Sequence, residues 1–290
     1  MRFVLDADQR DFAAALDSLL SGAGTVAAAR AWADGDHGPG LALWSRLADL
    51  GVTSLATDAT PVEVAVAFEA LGRHAVPGPW VESAAYLPIA LGHDVAGVAT
   101  VALPPHVPYA LDADVADHVY VGDAPADSVG ERIASVDPTR HLFPVTGAGE
   151  PSREAFDLAV LATAAQLLGA GERVLADSVA YVKQRKQFGR EIGSYQAIKH
   201  ALADVRIGLD FARPLVLGAA LGEVDVSAAK VAAGDAAYRA SRTGLQVHGA
   251  VGYTRELDLS LWLTKIRALV TAWGTPDFHR ARILQNLGAG

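Results

Sequence analysis

Two long helical patterns meet at Tyr181-Val182-Lys183-Gln184-Arg185-Lys186-Gln187-Phe188-Gly189, where one ends and after which the other begins. From Phe156 to Val182, apolar residues recur every three or four positions, which is the spacing of one face of a helix. Arg185 and Lys186 suit the negative end of a helix dipole, and Gly189 is a natural stop. Downstream, the same spacing returns at Ile198, Leu202, Val205 and Leu209.

Three more helices follow this pair. The segment at about 227–247 is rich in alanine and glycine, which lets neighbouring helices pack closely against it. Another helix begins near Asp258 and breaks at Gly274. Thr275 is then a good N-cap with Pro276 at the first helical position, so a last helix is expected to about Leu287. Residues 149–290 are predicted to form an antiparallel four-helix bundle with this added helix.

Two segments precede the bundle. Residues 1–92 are predicted to form short helices at Asp6–Leu20, Leu41–Leu50 and Pro61–Leu71, separated by breaks rich in Gly, Asp and Pro. Residues 93–148 instead contain short β-branched runs, at Val98–Leu103 and His118–Val121, and are predicted to form a small β domain. The fold class is therefore mainly α, with three domains.

Composition excludes several classes of function. The 290 residues include no cysteine, so disulfides, thiolate nucleophiles and Cys-ligated metals are absent. A net charge of −9 argues against nucleic acid as a partner. Mean hydropathy is high at +0.23, yet no uninterrupted apolar run reaches the roughly 18 residues of a membrane span. Apolar surface buried against a partner chain is the better explanation, and we expect a cytoplasmic protein.

The motif Tyr181-x-x-x-Arg185-x-Gln187-Phe188-Gly189 resembles a signature of the acyl-CoA dehydrogenase family. The resemblance implies that Arg185, Gln187, Phe188 and Ile192 reach across a subunit interface to the ADP half of a neighbour's FAD. An arginine fork suits a pyrophosphate, and a phenyl ring can pack against the cofactor. The structural alternative is an ordinary helix end, with Gly189 as the cap and Phe188 in the core.

A second motif, Gln246-Val247-His248-Gly249-Ala250-Val251-Gly252-Tyr253, resembles the Gln-x-x-Gly-Gly-x-Gly-Phe segment of the same family. It implies FAD contacts from Gln246, Val247, Gly249 and Ala250, where alanine replaces the family's second glycine. His248 alone is better interpreted as a hydrogen-bonded core residue, because no second ligand or carboxylate lies at a useful spacing. No metal site is predicted.

The same resemblance implies that the catalytic base is missing. Seventeen residues separate Glu256 from Gly274, as in the family, so Trp273 stands where the glutamate is expected. Some relatives carry the glutamate on an earlier helix, and Ala159 occupies that position here. Thr275 is best explained as a helix cap. Asp277 and His279 lie one helical turn or more too far on to replace the base.

The middle domain also lacks the loops that surround the flavin ring in the family. The resemblance therefore implies the non-catalytic subunit of a heteromeric acyl-CoA dehydrogenase, similar to those of actinobacterial steroid catabolism. A Glu-bearing partner would bind most of the acyl-CoA in an assembly of two chains of each kind, with electron-transfer flavoprotein as the acceptor. The alternatives are a homomeric, flavin-free scaffold and an enzyme with an unrecognised base.

Overall fold

A computed structural model describes residues 3–288, and its N-terminal third is helical. A π-helical turn, Glu82–Tyr86, leads directly into the sixth helix. The six helices are α1 Ala7–Ser21, α2 Thr25–Ala33, α3 Gly38–Asp49, α4 Leu55–Asp58, α5 Pro61–Arg73 and α6 Leu87–Leu91.

Capping residues explain where the predicted helices begin. Asp6 accepts a hydrogen bond from the backbone of Gln9 at 2.9 Å, and the Gln9 side chain accepts one from the backbone of Asp6. Thr60 and Glu63 form the equivalent box at the start of α5. The sequence pattern missed α2 and the helical segment at 82–91. It also started α3 three residues late, at Leu41, because Gly38 and Pro39 were not expected in its first turn.

Short strands form the middle of the chain. β1 pairs in parallel with β3, with Ala99 opposite His118, and β4 adds to β3 antiparallel. β2 pairs with β6 and β5 with β7, both antiparallel. The strands are β1 Ala99–Ala102, β2 Ala110–Leu111, β3 His118–Val121, β4 Ala124–Pro125, β5 Ser128–Val129, β6 Leu142–Phe143 and β7 Val145–Thr146. The fold class is as predicted, while the exact division into domains stays a prediction.

The predicted antiparallel four-helix bundle is formed by α7 Arg153–Gln184, α8 Gln196–Ala220, α9 Val226–His248 and α10 Leu259–Leu269. Helix α11, Pro276–Gly288, follows it. Small residues let α7 and α9 approach closely, as the sequence predicts. A Cβ atom on Gly244 would lie 2.6 Å from Val174, and one on Gly171 would lie 3.2 Å from the backbone of Ala237.

Helix α7 also packs backbone to backbone against α5. A Cβ atom on Gly72 would lie 2.1 Å from the carbonyl oxygen of Gln166, and one on Gly169 would lie 1.9 Å from that of Glu69. Only glycine fits at either position. Beside this contact, Arg213 of α8 bridges Glu69 of α5 and Glu172 of α7. The N-terminal helices and the bundle therefore share one core.

Helix α7 contains a stretch that is long and apolar enough to cross a membrane by length and composition. An 18-residue window in it has a mean hydropathy of 1.3, although no uninterrupted apolar run of that length was found in the sequence. In the fold, 83% of this window is buried. Burial of this helix against its neighbours explains why the window is so apolar.

Candidate functional site

The first motif forms a hairpin at the end of α7. The helix ends at Gln184, and β8 Lys186–Gln187 pairs antiparallel with β9 Arg190–Glu191. Phe188 and Gly189 form the turn with φ of +52° and +81°. Two consecutive positive φ angles are typical of a type I′ turn. The interpretation of Gly189 as the stop of the helix is therefore wrong, because the helix ends five residues earlier and the glycine serves the hairpin.

This hairpin presents the predicted cofactor-binding residues to solvent. Phe188 is 90% exposed, so its assignment to the core is also wrong. Arg185 and Gln187 are exposed too, while Ile192 is half-buried and donates a backbone hydrogen bond to Arg185 at 2.8 Å. A bulky residue at positive φ is strained, and an exposed aromatic ring gains no stabilisation from burial within its own chain. The hairpin therefore holds the ring of Phe188 in solvent, where another molecule can contact it.

The second motif forms a tight turn at the end of α9. Gly249 has φ +65° and ψ −141°, a conformation that is essentially restricted to glycine. Gln246, Gly249 and Ala250 are exposed, whereas the Val247 side chain is buried and leaves only its backbone available. Of the four predicted contacts, three therefore lie on the surface.

An aromatic pair brings the two motifs together. The ring of Tyr181, near the end of α7, stacks on that of His248, at the end of α9, with centroids 4.2 Å apart. Nδ1 of His248 donates to the carbonyl oxygen of Gly244 at 2.8 Å, and the side chain is buried. His248 is therefore the hydrogen-bonded core histidine that was predicted. Its structural role is to hold the two exposed segments at one end of the bundle.

The two positions expected for a catalytic glutamate are buried and apolar. Ala159 lies on the buried face of α7 with no exposed surface. Trp273 is 1% exposed and packs between Tyr86 and Phe156, with ring centroids at 5.3 and 5.8 Å. Neither side chain can accept a proton from a substrate.

The polar residues after Trp273 have structural roles. Thr275 accepts a hydrogen bond from the backbone of Phe278 at 3.2 Å, which is the predicted N-cap. His279 is buried, and its Nε2 donates to the carbonyl oxygen of Trp273 at 2.9 Å while Nδ1 accepts from Ser227 at 3.0 Å. Burial lowers the pKa of His279 to about 4. Asp277 points to solvent, as predicted.

One carboxyl group in this region was missed by the sequence analysis. Glu82 lies in the π-helical turn, is 2% exposed, and has one carboxyl oxygen with no hydrogen-bond partner within residues 3–288. It borders a cavity of about 420 Å³ that is also lined by Tyr109, Arg140 and Trp273. The indole of Trp273 therefore does not fill this space. The available signal was a single acid inside the apolar run from Trp80 to Leu87.

Replacing Glu82 with glutamine should stabilise the protein at neutral pH. Burial raises the pKa of Glu82 above its ordinary 4.5, with Arg140 opposing that change. Above pH 4.5 the unfolded chain releases this proton before the folded chain does, so stability falls as pH rises towards the folded pKa. Burying a polar group costs about 1–3 kcal/mol, and more when the group is charged, so we expect Glu82→Gln, which never ionises, to remove the part of this cost that comes from the charge.

Urea denaturation of Glu82→Gln and wild type between pH 4 and 8 measures this effect. The stability difference should grow above pH 4.5 and vanish below it. The matched control is Glu131→Gln at an exposed site, which should leave the profile unchanged. Equal profiles for wild type and Glu82→Gln would show that the carboxyl stays charged and solvated.

Comparison with known proteins shows the family of this chain. Residues 151–288 match the family model "Acyl-CoA dehydrogenase, C-terminal domain". The acyl-CoA dehydrogenase IpdE2 of Mycobacterium tuberculosis is 31% identical over 277 residues, covering 86% of this chain and 87% of that protein. The chain therefore belongs to the acyl-CoA dehydrogenase family, whose members are FAD-dependent oxidoreductases.

Solved structures share the fold at low sequence identity. A chain of the ChsE4-ChsE5 complex of M. tuberculosis superposes with a TM-score of 0.80 and 21% identity. The match covers 100% of this chain and 100% of that chain. A steroid ACAD, Tcur3481-Tcur3483, gives a TM-score of 0.79 at 18% identity and covers 98% of each chain. These likenesses establish that the chain has the fold of the family.

Proposed function

We propose that this chain is the subunit without a catalytic base in a two-chain, FAD-dependent acyl-CoA dehydrogenase. The reaction is the α,β-desaturation of an acyl-CoA thioester, such as the CoA ester of a steroid side chain or ring fragment. The observation that carries the proposal is the apolar, buried character of Ala159 and Trp273. Desaturation requires a positioned base for the α proton, and the partner chain supplies it.

The residues at the end of the bundle fit the ADP half of an FAD held mainly by the partner. When bound, FAD supplies the acceptor for the hydride from the β carbon. The exposed guanidinium of Arg185 can donate two parallel hydrogen bonds to a pyrophosphate. The amide of Gln246 can donate and accept, and the open turn at Gly249 and Ala250 lets the backbone approach.

Exposed apolar side chains support burial against another chain. On α8, Ile207 and Phe211 are four residues apart on one helical face, and Phe211 is 72% exposed. Together with the exposed Phe188 at the hairpin, they suit a large, permanent interface. The two-chain ChsE4-ChsE5 relative is a precedent, and we propose two chains of each kind. The partner binds the acyl-CoA, and electron-transfer flavoprotein is the proposed acceptor.

The chain purified alone should stay colourless after incubation with excess FAD and removal of the unbound flavin. It should also be inactive in acyl-CoA-dependent dye reduction. Co-expression with a Glu-bearing homologue should give a yellow heteromer with one FAD for each pair of unlike chains. Native mass spectrometry and flavin absorbance measure both ratios. A homotetramer with a flavin on every copy would refute the proposal. A stable, flavin-free homomer that no such homologue joins would favour the scaffold instead.

Glu82 supports one other candidate function. A buried carboxyl with a raised pKa at the edge of a cavity is a common arrangement for a general base. An enzyme that used this group would turn over acyl-CoA without a partner. This second function would replace the first if the isolated chain turned over acyl-CoA, if Glu82→Gln abolished that activity, and if Glu131→Gln kept it.

A further inference from the structure

Three potential metal ligands converge outside the region described so far. They are His37, at the start of α3, Asp114, in the loop between β2 and β3, and His141, just before β6. One ligand atom from each lies within 4.8 Å of the other two. The segments are far apart in the sequence, so no spacing motif reveals the cluster.

Two of the three distances between these atoms match the coordination of a small cation, and the third is a few tenths of an ångström longer. Nε2 of His37 lies 3.4 Å from Nδ1 of His141, and that nitrogen lies 3.3 Å from Oδ2 of Asp114. The third side, from His37 to Asp114, is 3.7 Å. Two ligands of a tetrahedral Zn²⁺ with bonds of about 2.0–2.1 Å lie about 3.3–3.4 Å apart.

Hydrogen bonding explains the arrangement less well. All three separations exceed the usual range of about 2.7–3.2 Å for an N–H···O bond. The cluster also includes two imidazole nitrogens that face each other, and only one of them can serve as donor if both rings are neutral. An ion at the centre would use a lone pair from each group.

The surrounding residues hold His141 in place without a metal. Asp112 is fully buried, and its Oδ1 accepts from the backbone of His141 at 2.9 Å and from Trp32 at 3.2 Å. The backbone of Asp112 in turn donates to the His141 carbonyl at 2.7 Å. The edge of Trp32 also packs on the ring of His37, with centroids 4.6 Å apart. These contacts fix the backbone of His141 and the ring of His37, while the second ring nitrogen of His141, Nε2, is buried and has no hydrogen-bond partner among residues 3–288.

We propose that His37, Asp114 and His141 bind Zn²⁺ and thereby fasten the start of α3 to the β segment. Two imidazoles and one carboxylate suit zinc, whereas calcium and magnesium prefer oxygen ligands. His141 is buried, but the side chains of His37 and Asp114 are partly exposed, so water can complete the coordination. The site is independent of the flavin chemistry proposed above.

Isothermal titration of ZnCl₂ into the full chain, prepared without a histidine tag and dialysed against chelator, tests this proposal. We expect one ion per chain, and at least about tenfold weaker binding in both His37→Gln and Asp114→Ala. Substitution of exposed His93 by alanine is the matched control and should leave affinity unchanged. Co²⁺ should give the visible absorption of a tetrahedral complex in wild type and in the control.

His141→Ala is avoided as a primary test because the buried side chain also serves the fold. Circular dichroism confirms that the two variants fold, and Zn²⁺ should raise the melting temperature of wild type and His93→Ala only. No stoichiometric binding by wild type would overturn the proposal. So would zinc affinity that is equal in wild type, His37→Gln and Asp114→Ala, because the ion would then sit elsewhere.

Discussion

Replacing Arg185 by alanine should weaken FAD binding to the assembled heteromer by roughly 10- to 150-fold. A hydrogen bond to a charged group contributes about 1.5–3 kcal/mol, and removing the guanidinium loses at least one such bond to the pyrophosphate. Gln246→Ala should weaken binding in the same direction. The rate per bound flavin should change much less, because neither residue accepts the substrate proton.

Titration of the flavin-depleted heteromer with FAD gives these dissociation constants. Lys186→Ala is the matched control, since Lys186 is an exposed cation next to Arg185 that lies outside the predicted contacts. Unchanged flavin affinity in both Arg185→Ala and Gln246→Ala would show that the two motifs have a structural role only and do not bind the cofactor. An equal loss in Lys186→Ala would indicate a general electrostatic effect and not the specific bonds proposed.

Replacing Trp262 by alanine should destabilise the fold by about 3–5 kcal/mol. The side chain is fully buried in α10, and Arg173 of α7 stacks over its ring at 4.5 Å. Its Nε1 also donates to the carbonyl oxygens of Gly72 and Arg73 at 3.2 and 3.0 Å. Both carbonyls belong to the last two residues of α5. The substitution therefore opens a cavity and also removes the donor that caps the end of α5.

Trp262→Phe separates the two contributions. It keeps much of the ring volume but cannot donate, so we expect the loss of a typical hydrogen bond, about 0.5–1.5 kcal/mol, plus a smaller packing term. Urea denaturation followed by far-ultraviolet circular dichroism measures both variants. If Trp262→Ala shifted the midpoint no more than Trp262→Phe does, the indole would not be part of the shared core.

The long helices were predictable because periodic apolar residues and capping residues act over a few positions. The cap at Thr275 follows from such local rules. The hairpin at Phe188 was not predictable, since a basic pair followed by glycine is equally typical of a helix end. Glu82 and the proposed zinc ligands were missed for another reason: their neighbours come from segments distant in the sequence, and the one local signal, a lone acid between Trp80 and Leu87, does not reveal the cavity beside it.

The glycine contact between α5 and α7 has a consequence for how the molecule opens. The backbone of α5 contacts that of α7 at both Gly72 and Gly169, so neither helix can be released without uncovering the other. Their amide protons should therefore exchange with solvent as one cooperative group, at the free energy of global unfolding. A fragment cut near residue 150 would expose the face of α7 that α5 covers and would tend to aggregate. The N-terminal helices thus cover an apolar face of the bundle that would otherwise be exposed to solvent.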